Sequence, residues 1–412
     1  MTDVMHIQVD PALGFGLDNL PFGIIQHNDK VFVGIAIGEY VLNLAYLEAT
    51  SLIKLAKKNL FNQTSLNTFA KQGSKVRQDV RQQVQQLLTS STSALGQKHH
   101  RDKALIHREL TQLLYPFDTR GYTDFYSCEN HARNVGSLFR DPDNALNRNW
   151  KQLPVAYHGR TSSLVTSGLS FPRPHGQILN QGSDTSIFGP SQKMDFEIEM
   201  GFFIGQDNTL FEPIPIDQAR DHIFGFVLVN DWSARDIQAF EYVPLGPFLG
   251  KNFLTSVSPW VITPEALAPF KVTMALQEPQ PLHYLQQSKR HSYDIDITAS
   301  LITDGDVHLM STSNFQHQYW SLDQQLAHHG INGCKMQTGD LLATGTLSGT
   351  QQHQLGCFLE MTRNGVSPIT LANGQTRAFL EDGDTVRLSA QCKNDQACIS
   401  FGEVSGTLTA PL

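Results

Sequence analysis

Glu197 and Glu199 stand one residue apart in an otherwise apolar run, Phe196-Glu197-Ile198-Glu199-Met200-Gly201-Phe202-Phe203. Alternate side chains of a β-strand share a face, so the two carboxylates would project together while Ile198 and Met200 enter a core. Carboxylates among apolar residues are costly to bury unpaired. A divalent cation that prefers oxygen, such as Mg²⁺ or Ca²⁺, offsets that cost. The other reading of the pair is an edge strand with both glutamates in water. A third carboxylate, Asp231, opens Asp231-Trp232-Ser233-Ala234-Arg235-Asp236.

If the segment after Trp232 is helical, Asp231, Arg235, Gln238 and Tyr242 fall on one stripe that ends before Pro244. A carboxylate, a guanidinium, an amide and a phenol would then face one site, or else form a solvated face. Lys251 follows in a Gly/Pro-framed apolar loop, Pro244–Phe253. Desolvation makes it costly there unless carboxylates or an anionic ligand pair with it. Upstream, Asp124 and Tyr126 alternate onto one face and His131 follows. Asn130 is a candidate N-cap for a helix from His131 through Arg140. With 16 histidines in the chain the residue type alone selects nothing, and His99-His100 and His328-His329 read as exposed or packing pairs.

The elements around these residues are strand-rich. Gly23–Gln26 and Val31–Gly38 read as strands of a small barrel or sandwich. Val76, Val80, Val84, Leu87 and Leu88 recur at helical spacing. The polar tract from Thr89 to Lys103 reads as a loop or exposed connector, with a domain boundary near Leu114–Pro116. Beyond Gly121, strands are expected over Asp195–Ile204, His222–Asn230, Ser292–Leu301, Leu341–Thr346 and Thr385–Ala390. A chain of 412 residues exceeds the usual size of one core, so two domains are expected. A net charge of −8 and pI near 6.0 give no basic footprint for nucleic acid or anionic membrane. The start, Met1–His6, lacks a leader pattern and no stretch approaches a membrane span, which suits a cytosolic, soluble protein. Five cysteines without CxxC spacing read as reduced packing thiols.

The string from Asp231 to Gln238, running on through Glu241-Tyr242-Val243-Pro244-Leu245-Gly246-Pro247-Phe248-Leu249-Gly250-Lys251, resembles the signature of the fumarylacetoacetase family, carbon–carbon hydrolases that end tyrosine and phenylalanine degradation. The resemblance extends to Asn19–Gly23, Asp124–Ser127, His131, Tyr157–Arg160, Asp195–Glu199, Gly345–Gly349 and Asn373–Arg377, and so covers nearly the whole chain. It implies a mainly β, α+β architecture: an N-terminal SH3-like barrel with a helical segment (1–117), then a C-terminal mixed β-roll carrying the catalytic centre (118–412). It also implies a cytoplasmic homodimer acting on a small dianionic β-diketone.

Carried over by resemblance, Ca²⁺ and/or Mg²⁺ would be held by Asp124, Glu197, Glu199 and Asp231, with Lys251 and Thr255 near a second cation spot. Tyr126, Arg140, Tyr157, Gln238, Tyr242 and Thr346 would contact substrate. His131, oriented by Glu360, would act as base, and Arg235, Gln238 and Lys251 would stabilise the oxyanion. Cys128, Glu129 and Asn252 depart from the pattern expected in animal enzymes. Of these, Glu129 places an extra negative charge near the base, where it would raise that base's pKa. Acylpyruvate hydrolases and oxaloacetate-type decarboxylases share the carboxylates but are generally shorter and lack the barrel and the full Gln238-to-Lys251 string. A non-catalytic metal-binding dimer would require loss of His131, Glu360 or Lys251, and all three are present.

Overall fold

A computed structural model describes residues 2–4, 7–180 and 182–412. Met1, Met5 and His6, part of the start read for a leader, lie outside the described residues. Strands dominate, as the Gly, Pro and β-branched content implies.

The amino-terminal sheet has five antiparallel strands, ordered Leu105–His107, Tyr40–Asn43, Lys30–Ile37, Phe22–His27 and Gln112–Leu114. This is the expected small barrel. Its helix, Gly73–Thr89, turns Val80, Val84 and Leu88 inward, the stripe visible in the sequence. The tract read as a loop is partly helical: a turn at Ala94–Gly96 and a helix at Lys98–Ala104. The Ser93 side chain caps the turn through Leu95 N, and burial of Leu95 and Ala104 anchors a segment too polar to show periodicity.

A seven-stranded mixed sheet follows, ordered Leu164–Thr166, Thr255–Val257, Ile223–Asp231, Ile198–Ile204, Leu341–Ala343, Tyr122–Phe125 and Ala156–His158. A five-stranded sheet, ordered Leu169–Pro172, Cys398–Thr409, Thr385–Lys393, Asp296–Thr303 and Asp306–Asn314, faces it. One apolar core joins Ile198, Met200, Phe202 and Trp232 of the first to Ile297, Leu301, Leu388 and Val404 of the second. The opposite face of the seven-stranded sheet is covered too, because Phe203, Val227 and Val229 pack with Leu20, Phe22 and Phe69 of the amino-terminal part. Covered on both faces, Ile223–Asp231 is buried along its whole length and reads as a continuous apolar run rather than an alternating one.

Several boundaries differ from the sequence expectation. Asp195–Ile204 is interrupted: Met194–Asp195 pairs with Ser233–Ala234, the ladder skips Phe196 and Glu197, and Ile198 resumes it. Ser292–Leu301 divides into His291–Tyr293 and Asp296–Thr303. The helix after Ser127 spans Glu129–Phe139 with Cys128 as N-cap. Asn130 instead donates to Ser348 O at 3.0 Å, and Arg140 is the C-cap rather than part of the last turn. The stripe expected from Asp231 to Tyr242 does not form. Asp231 ends a strand, held there by pairing with Thr255, and the helix covers only Arg235–Glu241.

Candidate active site

Three strands bring the acidic residues together. Asp124 lies near the end of Tyr122–Phe125, Glu199 within Ile198–Ile204, and Asp231 at the end of Ile223–Asp231, while Glu197 sits in the ladder break just before Ile198. One oxygen of each lies within 4.8 Å of the others, and all four residues are buried. The edge-strand reading with both glutamates in water therefore fails.

The four carboxylates are not equally supplied with donors. Lys251 Nζ bridges Glu197 Oε2 at 2.6 Å and Asp231 Oδ2 at 2.7 Å, the pairing that its apolar loop required. Asp231 also accepts from Thr255 Oγ1 at 2.8 Å and from the Tyr157 hydroxyl at 2.9 Å. Asp124 accepts from Gly345 N at 3.1 Å. A side chain at Gly345 would meet Phe125 O, and its φ of +76° suits glycine, so the turn that aims this N–H depends on that residue. Among the described residues neither oxygen of Glu199 has a donor. Burial, followed by the charges of Asp124, Glu197 and Asp231, pushes the Glu199 carboxyl well above the usual carboxylate range. Burial and Asp231 do the same to Asp124. Burial also works against the charge of Lys251, but Asp231 and Glu197 outweigh it and hold the ammonium above the usual lysine range. Four convergent carboxylates, one of them without a donor, fit a hard divalent cation with oxygen ligands.

Next to this cluster His131 Nδ1 meets Glu360 Oε2 at 2.7 Å, with both side chains buried. Glu360 further accepts from Asn134 Nδ2 at 2.8 Å, Ser348 Oγ at 2.7 Å and Cys357 Sγ at 3.3 Å. Burial opposes its charge, yet His131 and these donors hold its carboxyl below the usual range. The Tyr126 ring stands edge-on to His131, centroids 5.4 Å apart. Burial, then Glu360 and Glu197, push its phenol upward, with Arg140 opposing. Arg235 joins the carboxylates through Nη1 to Glu197 Oε1 at 2.8 Å, and the same nitrogen donates to Gln238 Oε1 at 3.2 Å. Thr346 is buried just beyond Gly345.

Two expected residues stand apart. Arg140 is exposed and donates to Ala145 O, and Tyr242 is 51% exposed at the helix end. Glu129 pairs with Arg133 at 2.8 Å and Lys151 at 3.0 Å, which offset the charge it was expected to impose on the base. Asp195, Asn134, Ser348 and Cys357 were missed as supports. Asp195 opens the acidic run and Ser348 lies within Gly345–Gly349, but only the fold reveals what they hold.

The fold and site define a class: mixed β-roll proteins whose buried carboxylates suit a divalent cation, with a histidine–glutamate pair at hand. Residues 120–409 match the family profile described as fumarylacetoacetate hydrolase C-terminal, and residues 18–116 match fumarylacetoacetase N-terminal. The chain belongs to the fumarylacetoacetate hydrolase family. It is 44% identical to the fumarylacetoacetase of Dictyostelium discoideum over 98% of this chain and 97% of that protein. It is also 44% identical to that of Homo sapiens, over 97% of each chain. A solved fumarylacetoacetate hydrolase from psychrophilic Exiguobacterium antarcticum shares the fold at TM-score 0.53 and 15% identity, covering 95% of this chain and 99% of the other.

Proposed function

We infer that the chain hydrolyses the carbon–carbon bond of 4-fumarylacetoacetate to give fumarate and acetoacetate, the last step of tyrosine and phenylalanine degradation. The observation that carries this reading is the 2.7 Å contact of His131 with Glu360 beside four carboxylates within 4.8 Å of one another. Full-length similarity to proteins named fumarylacetoacetase supports it.

Asp124, Glu197, Glu199 and Asp231 would hold Ca²⁺ or Mg²⁺, with Lys251 and Thr255 bordering the ion through Asp231. When bound, the ion supplies a Lewis acid that orients the β-diketone and favours its enolate. Glu360 accepts a hydrogen bond from Nδ1–H of His131, leaving the other ring nitrogen free to take a proton from water. The resulting hydroxide adds to the carbonyl carbon of the fumaroyl group. Arg235, Gln238 and Lys251 donate to the oxyanion as it forms. When that intermediate collapses, the electron pair of the broken C–C bond passes to the acetoacetate fragment, which is then protonated. Tyr126, Tyr157, Thr346, Arg140 and Tyr242 would position the substrate, the last two from the exposed rim.

A shorter relative such as an acylpyruvate hydrolase or oxaloacetate-type decarboxylase is disfavoured by the match over residues 18–116. The separate spans of the two family matches support a division into 1–117 and 118–412. We place the protein in the cytoplasm as a homodimer; among the described residues no helix is long and apolar enough to cross a membrane. Exposed Phe188, Leu245 and Phe248 support association with a second copy. The test is loss of the diketone absorbance of fumarylacetoacetate with purified protein, before and after chelation. An unchanged substrate spectrum in the presence of Mg²⁺ or Ca²⁺ would defeat the reading.

A further inference from the structure

Cys357 does more than pack. It immediately precedes the short helix Phe358–Met361, and Glu360 is that helix's third residue. Cys357 is the N-cap residue of that helix but makes no side-chain cap hydrogen bond, and its sulfur meets the Glu360 side chain instead. Its sulfur lies 3.3 Å from Glu360 Oε2, the oxygen that also meets His131. A ring nitrogen of His131, the sulfur of Cys357 and a Glu360 oxygen lie within 4.8 Å of one another, all three residues buried.

We propose that His131, Cys357 and Glu360 form a second, inhibitory metal site that takes a thiophilic divalent cation such as Zn²⁺ or Cd²⁺. One sulfur, one imidazole nitrogen and one carboxylate oxygen are a tetrahedral donor set lacking only its fourth member, which water supplies. Zinc bonds these donors at about 2.0–2.3 Å, so ligands already near contact need only spread slightly around the ion. Ca²⁺ and Mg²⁺ prefer all-oxygen sites and stay with the four carboxylates, whereas a thiolate favours softer ions. The two sites thus divide cations by ligand chemistry. Burial, then the charges of Glu360 and Asp195, push the Cys357 thiol upward, and the incoming cation displaces its proton to solvent as the metal–sulfur bond forms. The His131–Glu360 hydrogen bond breaks at the same time, and the proton on the ligating ring nitrogen passes through water to the other one. Occupancy stands apart from the reaction assigned above; the loss of turnover rests on His131 being its base.

The test uses the full chain with Cys334→Ser and Cys398→Ser, because both thiols are partly exposed and would take up Cd²⁺ themselves. Cd²⁺ is titrated in excess Mg²⁺, with ultraviolet thiolate-to-metal absorption and turnover read together. One equivalent should produce the band and lower turnover roughly tenfold or more, by removing the base. Adding Cys357→Ser should abolish the band and raise the inhibiting Cd²⁺ concentration at least about tenfold relative to that variant's own uninhibited rate. Absence of the band, or equal inhibition of the Cys357→Ser protein, overturns the site. A band with unchanged turnover overturns the inhibition and the role of His131. A band in a protein that never turns over fumarylacetoacetate strikes the functional reading and leaves the cation site standing. Should Cys357→Ser not fold, His131→Asn must weaken the Cd²⁺ titration at least about tenfold, and unchanged affinity overturns the site.

Discussion

Arg235 donates through Nε to Asp195 Oδ2 at 2.8 Å, and neither side chain meets solvent appreciably. Asp195 also accepts from Phe358 N at 2.7 Å and Leu359 N at 2.9 Å. One carboxylate therefore fixes Arg235, the proposed oxyanion donor, and the helix carrying Glu360 to the same point. Asp195→Asn should lower kcat about 10–100-fold, the usual cost of losing a residue that orients a working group. Steady-state rates with unchanged circular dichroism check this, and a near-normal kcat would free Arg235 from that dependence.

His131→Ala should reduce turnover about 10²–10⁴-fold, the contribution of a positioned general base. Divalent-ion affinity, followed by calorimetric titration, should hardly change, since the four carboxylates remain. Retained turnover would move the base elsewhere.

Lys251 and Arg140 should fail differently. Lys251→Ala removes the ammonium proposed to meet charge that develops during reaction, so kcat and kcat/KM should fall together by about 10²–10³. Arg140→Ala should chiefly raise KM, because a terminal substrate carboxylate is charged throughout. A normal KM for the Arg140 variant would be consistent with its exposed position and would remove it from substrate binding.

Chelation should lower the thermal midpoint. Glu199 has no donor of its own, so a bound divalent ion stabilises the folded chain. At an ion concentration 100 times Kd the gain is about 2.7 kcal/mol. Scanning calorimetry with chelator, then with added Mg²⁺ or Ca²⁺, measures it; identical midpoints would remove the ion from the fold.

Arg77 and Glu265 join the amino-terminal helix to the rest of the molecule through a 2.8 Å ion pair. Burial pushes the Glu265 carboxyl up, but Arg77 outweighs it and the net shift is downward from 4.5. A depressed carboxyl contributes stability that is present above the ordinary value and is lost as pH falls through the folded one. Arg77→Ala should therefore cost about 1.5–3 kcal/mol at neutral pH and should flatten the acid limb of the stability profile below pH 4.5. Urea melts across pH decide it, and parallel acid limbs in the two proteins would contradict the linkage.

Where chemistry depended on neighbours in the chain, the sequence was informative. Glu197 and Glu199 left a buried pair and a water-facing edge strand both open, and only further partners such as Asp231 and Lys251 favoured burial. The Gly73–Thr89 helix announced itself through its valines. Lys251 in an apolar loop demanded carboxylates and found two. Legibility failed where tertiary pairing overrode local pattern. Asp231 looked like the start of a helical stripe, but its strand pairs on to Thr255 and carries it past that point. Asn130 has the chemistry of a cap, yet the Ser348 carbonyl claims its amide. Asp195, Asn134 and Cys357 work through partners 40, 226 and 3 residues away. The distant partners leave no periodic trace, and the near one looks like an ordinary packing thiol.

The Leu341–Ala343 strand lies between Ile198–Ile204 and Tyr122–Phe125, antiparallel to the first and parallel to the second. Asp124 is the first of the four acids in the chain, yet the strand that joins it to the strand of Glu199 comes after all four. A nascent chain stopped short of Leu341 carries every carboxylate of the cluster without the strand that spaces them. Such a fragment cannot assemble the ion centre, however long it waits. The proposed chemistry therefore depends on a strand from near the carboxyl end of the polypeptide lying in the middle of a sheet that includes a strand of its amino-terminal third.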